Sequence, residues 1–361
     1  HGFPQYWINP NLGTEQELID AVRTVREAGG HVAFYINSRL CNTKYADRAE
    51  LIAHSAIMRR DGTLNIEKYG AADLSFASLC NQDPTWRNEF VGVVDYLTHT
   101  IGADSMYLDQ MAMATSVLCY HPEHTEHAGN PAGWNQGYER MLAQMREGYD
   151  ADGMAMLYEG VSDVYGPGVS GQLISTMFYL CGGAYPELYK YTFPDQILVD
   201  MMNPRRNTGM RAEHIARRST ELLYKAFVVG SYLWTYDLEW DNTFRRDPEQ
   251  TERLRKQNAL RSAWLMHYGQ GRFTDTVGLG ACTEGLLVKR FELEQGLLVA
   301  YANEKRIAGE IKIAWPHTQA PDLRMRTYDD PDTEQAVAYC LRDGWICLSA
   351  PDTELAVIII R

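Results

Sequence analysis

Residues 102–110, Gly-Ala-Asp-Ser-Met-Tyr-Leu-Asp-Gln, read as a short buried strand that ends on a carboxylate, Asp109. A second stretch, Met-Ala-Met-Leu-Tyr-Glu-Gly at 154–160, has the same form and ends on Glu159. Between them, residues 136–149 carry apolar positions at helical spacing, which supplies the crossover that two neighbouring parallel strands require. Both acids then fall at the carboxyl end of one sheet, where barrel folds collect their reacting groups.

The same order of helix, turn and strand repeats on either side. Residues 15–28 have helical spacing after Thr14, a plausible N-cap, and stop at Gly29-Gly30 before a strand at 31–37. A helix over 87–101 precedes the strand at 105–109. Further strands are expected at 188–193 and 228–236, and further helices at 213–226 and 248–267. After Gly278 the texture changes, because 286–293, 297–303, 308–315, 336–341, 345–349 and 354–360 alternate or run apolar between turn residues. The expected architecture is α/β, a (β/α)8 TIM-like barrel over residues 1–278 followed by a C-terminal antiparallel β-sandwich over 279–361. Only five or six of eight barrel strands are legible. Either the others hide in poorly patterned stretches or, the favoured expectation, one or two precede His1, where an upstream segment or another chain would complete the barrel.

Composition excludes several classes. The chain has 361 residues, 45% of them hydrophobic, with a net charge of −13. That acidity argues against nucleic acid as a partner, because phosphate-tracking surfaces concentrate Lys and Arg. No apolar run approaches the ~20 residues that span a bilayer, so no membrane partner is expected. Seven cysteines, an odd number without a CxxC pair, suggest neither a disulfide framework nor a thiolate zinc site, and favour a reducing, cytoplasmic compartment. The chain opens on His1, which leaves room for a leader upstream. No GxSxG, GxxxxGKS or GxGxxG string is present, which sets aside serine hydrolase, nucleotide and dinucleotide readings.

Two acids side by side at barrel strand ends are what glycoside hydrolysis needs, since one must attack or stabilise the sugar carbon while the other protonates the departing oxygen. The series Tyr6-Trp7-Ile8-Asn9-Pro10-Asn11-Leu12-Gly13, Tyr35-Ile36-Asn37-Ser38-Arg39, Tyr107-Leu108-Asp109-Gln110 and Tyr158-Glu159-Gly160 resembles a family of bacterial glycoside-hydrolase-like barrel proteins. That family is distantly similar to endo-α-N-acetylgalactosaminidases and, more remotely, to α-galactosidases, which are retaining enzymes. The resemblance covers about the first 240 residues. It implies a glycosidase acting on a carbohydrate O-glycosidic bond, with Asp109 as nucleophile and Glu159 as acid/base.

Around this pair, Tyr35, Asn37, Arg39 and Gln110 are expected to line the sugar site, and Arg39 or the Gln110 amide to hold Asp109 ionised. Asp237, after a strand-like run, could bind sugar hydroxyls. Trp134 and Trp240 could stack on a pyranose, whereas Trp264 and Trp315 read as packing residues. Asp104 precedes its strand and belongs to the stability end, and Asp163 is a reserve acid. His121, His124 and His127 recur every third residue. They could hold zinc, but Pro122, Gly129 and Pro131 indicate an irregular loop without HExxH, so no metal or other cofactor is expected and His124 and His127 become sugar contacts. The alternatives are a carbohydrate-binding relative without turnover and a metal-dependent hydrolase built on the histidine loop.

Overall fold

Thr14 opens the helix Glu15–Glu27 through a reciprocal capping box with Glu17. The strand after it, Ala33–Asn37, begins a series of parallel pairings. It pairs with Ser105–Asp109, which pairs with Ala155–Glu159, which in turn pairs with Gly171–Leu173. The last strand is three residues long and follows a Gly-Pro-Gly turn, too little sequence to show a period. The computed structural model describes residues 4–69, 74–149, 153–174, 187–201, 212–234 and 248–361, in two units, His1–Thr176 and Met177–Arg361.

In the first unit the crossover helices are Pro84–Asp95 and Gly133–Tyr149. Asp83 caps the former through the Thr85 and Trp86 N–H groups, and Pro84 sits where its missing N–H costs nothing. That cap starts the helix three residues earlier than the apolar spacing alone places it. The helices press Trp86, Phe90, Tyr138, Met141 and Met145 onto one face of the sheet, which contributes Ile36, Met106, Leu108, Met156 and Tyr158 to the same core. Strand alternation sends Tyr35, Asn37, Tyr107, Asp109 and Glu159 to the other face. After the first strand the chain detours through a small antiparallel sheet of Leu40–Asn42, Ser75–Ser78 and Ile66–Lys68.

Gly137 shows how closely these layers approach. A Cβ there would lie 2.7 Å from the backbone carbon of Asn81 and 2.9 Å from the Gln82 nitrogen. Helix propensity favours alanine over glycine by about 1 kcal/mol. Forcing a methyl against immobile backbone costs about 1–3 kcal/mol, and this term should win. Gly137→Ala is therefore expected to lower the urea unfolding midpoint.

In the second unit, Leu198–Met201 and Tyr232–Trp234 form a parallel pair. Residues 188–193, expected as a strand, fall mostly within the helix Glu187–Thr192 instead. Six residues are too few for periodicity to separate the two states. The helix is fixed by Lys190, whose ammonium donates to the Pro194 and Gln196 carbonyls at 2.6 and 2.7 Å. Likewise the apolar run expected as a strand over 228–236 begins inside the helix Ala212–Val229, and among the described residues the strand is Tyr232–Trp234, with 235 and 236 outside them.

The C-terminal part is antiparallel, as expected. One sheet runs in the order Arg272–Asp275, Leu287–Glu292, Leu297–Ala302, Leu355–Ile360, Leu323–Thr327 and Gln335–Ala336. The other joins Glu310–Ala314, Trp345–Ser349 and Cys340–Arg342. Val299, Tyr301, Ile358 and Ile360 meet Ile311, Ile313, Ile346 and Leu348 in one core, the packing of a sandwich. Leu297–Ala302 and Leu355–Ile360 are buried at every position because helices cover their second face. Trp315 is a packing residue here, its indole N–H donating to the Gln319 carbonyl. No helix among the described residues is long and apolar enough to cross a membrane.

Candidate active site

Asp109 closes its strand directly opposite Asn37, and one residue earlier Leu108 pairs with Tyr158, so Asp109 and Glu159 end neighbouring strands on the same face. The residue after each acid is left-handed: Gln110 has φ 63° and Gly160 φ 94°. At Gly160 the conformation is needed twice over, since a Cβ would also lie 3.0 Å from Ala112. Gln110 takes it without being glycine, a strained backbone of the kind that collects at functional sites.

Gln110 joins the two acids. Its N–H donates to Glu159 Oε2 at 3.1 Å, while its side-chain oxygen accepts from Asn37 Nδ2 at 3.2 Å and from Arg39 Nη2 at 2.9 Å. Asn37 is oriented from behind, because its Oδ1 accepts the N–H groups of Arg39 and Leu40 at 3.1 and 3.0 Å. That leaves Nδ2 as the donor to Asp109 Oδ2, at 2.9 Å. Tyr35 also hydrogen-bonds Asp109, and its phenol is pushed well above the usual range first by desolvation and then by the Asp109 charge. Tyr6 packs beneath, its hydroxyl accepting the Asn37 N–H.

The expected partners of Asp109 are thus corrected. Arg39 is 2% exposed and forms a two-pronged pair with Glu67, at 2.5 and 2.7 Å. The side chain of Gln110 turns toward Asn37 and Arg39, and the groups donating to Asp109 are Asn37 and Tyr35. Glu67 lies in the small antiparallel sheet, too far along the chain for spacing to connect it to Arg39. Burial raises the Glu67 carboxyl, but hydrogen bonds from Arg39, Tyr69 and Ser78 outweigh it and bring the group down to about 2. A carboxyl lowered in the folded state stabilises the fold above its ordinary value of 4.5 and loses that contribution as the pH falls toward about 2. Glu67→Gln leaves the buried guanidinium without its counter-charge and should cost about 3 kcal/mol near neutrality. Urea denaturation of both proteins should show that difference level above pH 5 or so and closing below it.

The remaining candidates separate cleanly. Asp104 sits at the opposite sheet end, taking the Val32 N–H at 2.8 Å and pairing with His31 at 2.6 Å. Asp163 is exposed on the loop after Glu159. Asp237 and Trp240 lie outside the described residues, as does the side chain of Trp264. His121 is buried, with Nε2 2.9 Å from the Ala53 carbonyl. His124 and His127 lie beside two thiols, Cys119 and Cys80, at 3.3 and 3.2 Å. Trp134 lines the same small cavity and packs edge-on against Tyr138. A larger cleft of about 560 Å³ opens along the strand Ala33–Asn37, with Tyr6, Trp7, Leu12, Glu17 and Tyr35 in its walls. Trp7 and Tyr35 are 52% and 49% exposed.

Residues 1–178 match the model of a family described as a domain of unknown function, DUF6259. A curated protein of Bacteroides thetaiotaomicron, named "Putative glycoside hydrolase", is 28% identical over 164 residues, which make up 45% of this chain and 24% of that protein. The chain thus matches about a quarter of that relative's length. Among solved structures, the cycloisomaltooligosaccharide glucanotransferase of Paenibacillus sp., complexed with cycloisomaltoheptaose, superposes with a TM-score of 0.71 over 97% of this chain and 75% of its own, at 10% identity. The α-N-acetylgalactosaminidase NagBb of Bifidobacterium bifidum gives 0.60 over 84% of this chain and 46% of its own, at 18% identity. At these identities the likeness establishes the fold, a TIM-type (β/α) barrel followed by a C-terminal β-sheet domain.

Proposed function

We propose that the chain carries the catalytic centre of a retaining glycoside hydrolase, with Asp109 as nucleophile and Glu159 as acid/base. The observation that carries this reading is the placement of the two carboxylates on one face at the ends of neighbouring parallel strands. Neighbouring strands lie about 4.8 Å apart, so two side chains at their ends can bring their carboxyl groups to the roughly 5–5.5 Å that retaining enzymes use.

In the first step Asp109 attacks the anomeric carbon while Glu159 gives its proton to the glycosidic oxygen, and the aglycone leaves as an alcohol. In the second, Glu159 takes a proton from water, whose oxygen attacks the same carbon and frees Asp109. Asn37 and Tyr35 hold Asp109 in place as neutral donors, which fix its direction. The Gln110 N–H donates to Glu159 Oε2 and fixes the direction of that carboxyl group. Tyr35 both touches Asp109 and walls the adjoining cleft, and its exposed ring, like that of Trp7, offers a flat face to the C–H side of a pyranose. The name of the Bacteroides relative and the carbohydrate-active structural neighbours support the same class. We assign the chain from Arg272 onward to the β-domain and the residues before it to the barrel, which moves the expected boundary at 278 ahead of the strand Arg272–Asp275, because that strand pairs with Leu287–Glu292.

The test is hydrolysis of a panel of aryl α- and β-glycosides, with the anomer first released followed by proton NMR. Release of sugar with retained configuration is expected. Net inversion would replace the nucleophile with a general base, and saturable sugar binding without hydrolysis would favour a binding protein.

A further inference from the structure

Four soft or borderline donors converge in the first unit at a place the sugar chemistry does not use. Cys80, Cys119, His124 and His127 each bring one sulfur or ring nitrogen within 4.8 Å of the other three. Cys80 Sγ is 3.2 Å from His127 Nε2, and Cys119 Sγ is 3.3 Å from His124 Nδ1. A tetrahedral zinc ion bound at about 2.3 Å to sulfur and about 2.0–2.1 Å to nitrogen holds such atoms roughly 3.5 Å apart, so both separations are already close to those of a loaded site. Cys80, Cys119 and His124 are buried, and Ile57, Val117 and Trp134 pack around the thiols. The cavity lined by Cys80, Cys119 and His127 is about 20 Å³, room for one ion and for no organic ligand.

The backbone presents these donors through its own hydrogen bonds. The Cys80 N–H donates to the Ser55 carbonyl, the Cys119 carbonyl accepts the Gly129 N–H, and the Tyr120 N–H donates to the Met58 carbonyl. Two successive turns, His124 N–H to His121 O and His127 N–H to His124 O, bring both imidazoles to the same side. His121 is excluded from the set although it lies 4.6 Å ring to ring from His124, because its Nε2 is engaged with Ala53.

We propose that Cys80, Cys119, His124 and His127 form a zinc site that clips the segment following Asp109 to the segment following the strand Ser75–Ser78. Two thiolates and two imidazoles in tetrahedral array are the donor set of structural zinc. With four protein ligands no position is open for water, so the ion stabilises and does not hydrolyse. The segment it holds runs from Gln110 to Ala132 without a helix or strand, a length that needs support to keep one conformation beside a reacting group. The proposal is independent of the glycosidase reading.

The test is metal analysis of the 361-residue chain after incubation with zinc and gel filtration, together with absorption of the cobalt-loaded protein. The site predicts about one zinc per chain, thiolate-to-cobalt charge-transfer bands, and release of the ion when a mercurial titrates the thiols. Cys119→Ser and His127→Ala should lose the ion, while His121→Gln should retain it. The cobalt spectrum needs no variant, so it decides the matter even if a substitution prevents folding. Less than about a tenth of an equivalent of bound metal, a cobalt spectrum without sulfur bands, or a Cys80–Cys119 disulfide in the isolated protein would each overturn the proposal.

Discussion

Asp109→Ala should lower hydrolysis of aryl glycosides by roughly 10³-fold or more, because as the proposed nucleophile it supplies the oxygen that bonds to the anomeric carbon in both halves of the reaction. The shortened side chain leaves a space the size of a small anion. Azide added to the variant should enter that space, attack the face Asp109 attacked, and return turnover as a glycosyl azide of inverted configuration. Asn37 and Tyr35, the groups that orient Asp109, stay in place in this variant, so rescue tests the missing carboxylate and not a collapsed site. Loss of activity through a structural fault would leave azide without effect.

Glu159→Gln should separate substrates by leaving group. Protonation of the departing oxygen contributes roughly 10²–10⁴-fold where the aglycone is a poor leaving group and little where it leaves readily as an anion. The variant is therefore expected to lose about 10³-fold on alkyl or disaccharide substrates while its first step on activated phenyl glycosides stays within about tenfold of wild type. The alkaline limb that a general acid imposes on kcat/KM should flatten at the same time. Glutamine keeps an oxygen that can accept the Gln110 N–H, so the strand end has no reason to move. Equal losses on all leaving groups would assign Glu159 a positioning role.

That Asp109 and Glu159 end neighbouring strands is legible in the sequence while the groups that contact them are not, and the division has a physical cause. A strand that ends on a carboxylate is local, so Asp109 and Glu159 are legible from five or six residues each, and the crossover helix between them makes the strands neighbours. The Thr14 cap is local too, and it places the first helix correctly. The Arg39–Glu67 pair and the Asn37 contact to Asp109 join residues 28 and 72 positions apart, and spacing says nothing about such pairs. Only the parallel register of Ala33–Asn37 with Ser105–Asp109 creates the second of them.

The cysteines make the same point. Without CxxC, Cys80 and Cys119 look unrelated, and the histidines look like a three-residue repeat in an irregular loop. The fold discards His121 from that repeat and supplies a thiol from another segment instead. Short elements fail for a different reason. In Glu187–Thr192 the apolar residues fit a strand or a single helical turn and a half, and the choice falls to carbonyls that Lys190 satisfies after the helix ends.

As the proposed nucleophile, Asp109 is expected to become covalently bonded to sugar during turnover. Incubating the protein with a fluorinated glycoside that forms the intermediate quickly and hydrolyses it slowly, then sequencing the peptic peptides by mass spectrometry, tests it most directly. One peptide carrying one glycosyl group is expected, with the added mass on Asp109. A glycosyl group on another carboxylate, or clear turnover of the parent substrate with net inversion and no labelled peptide, would contradict it.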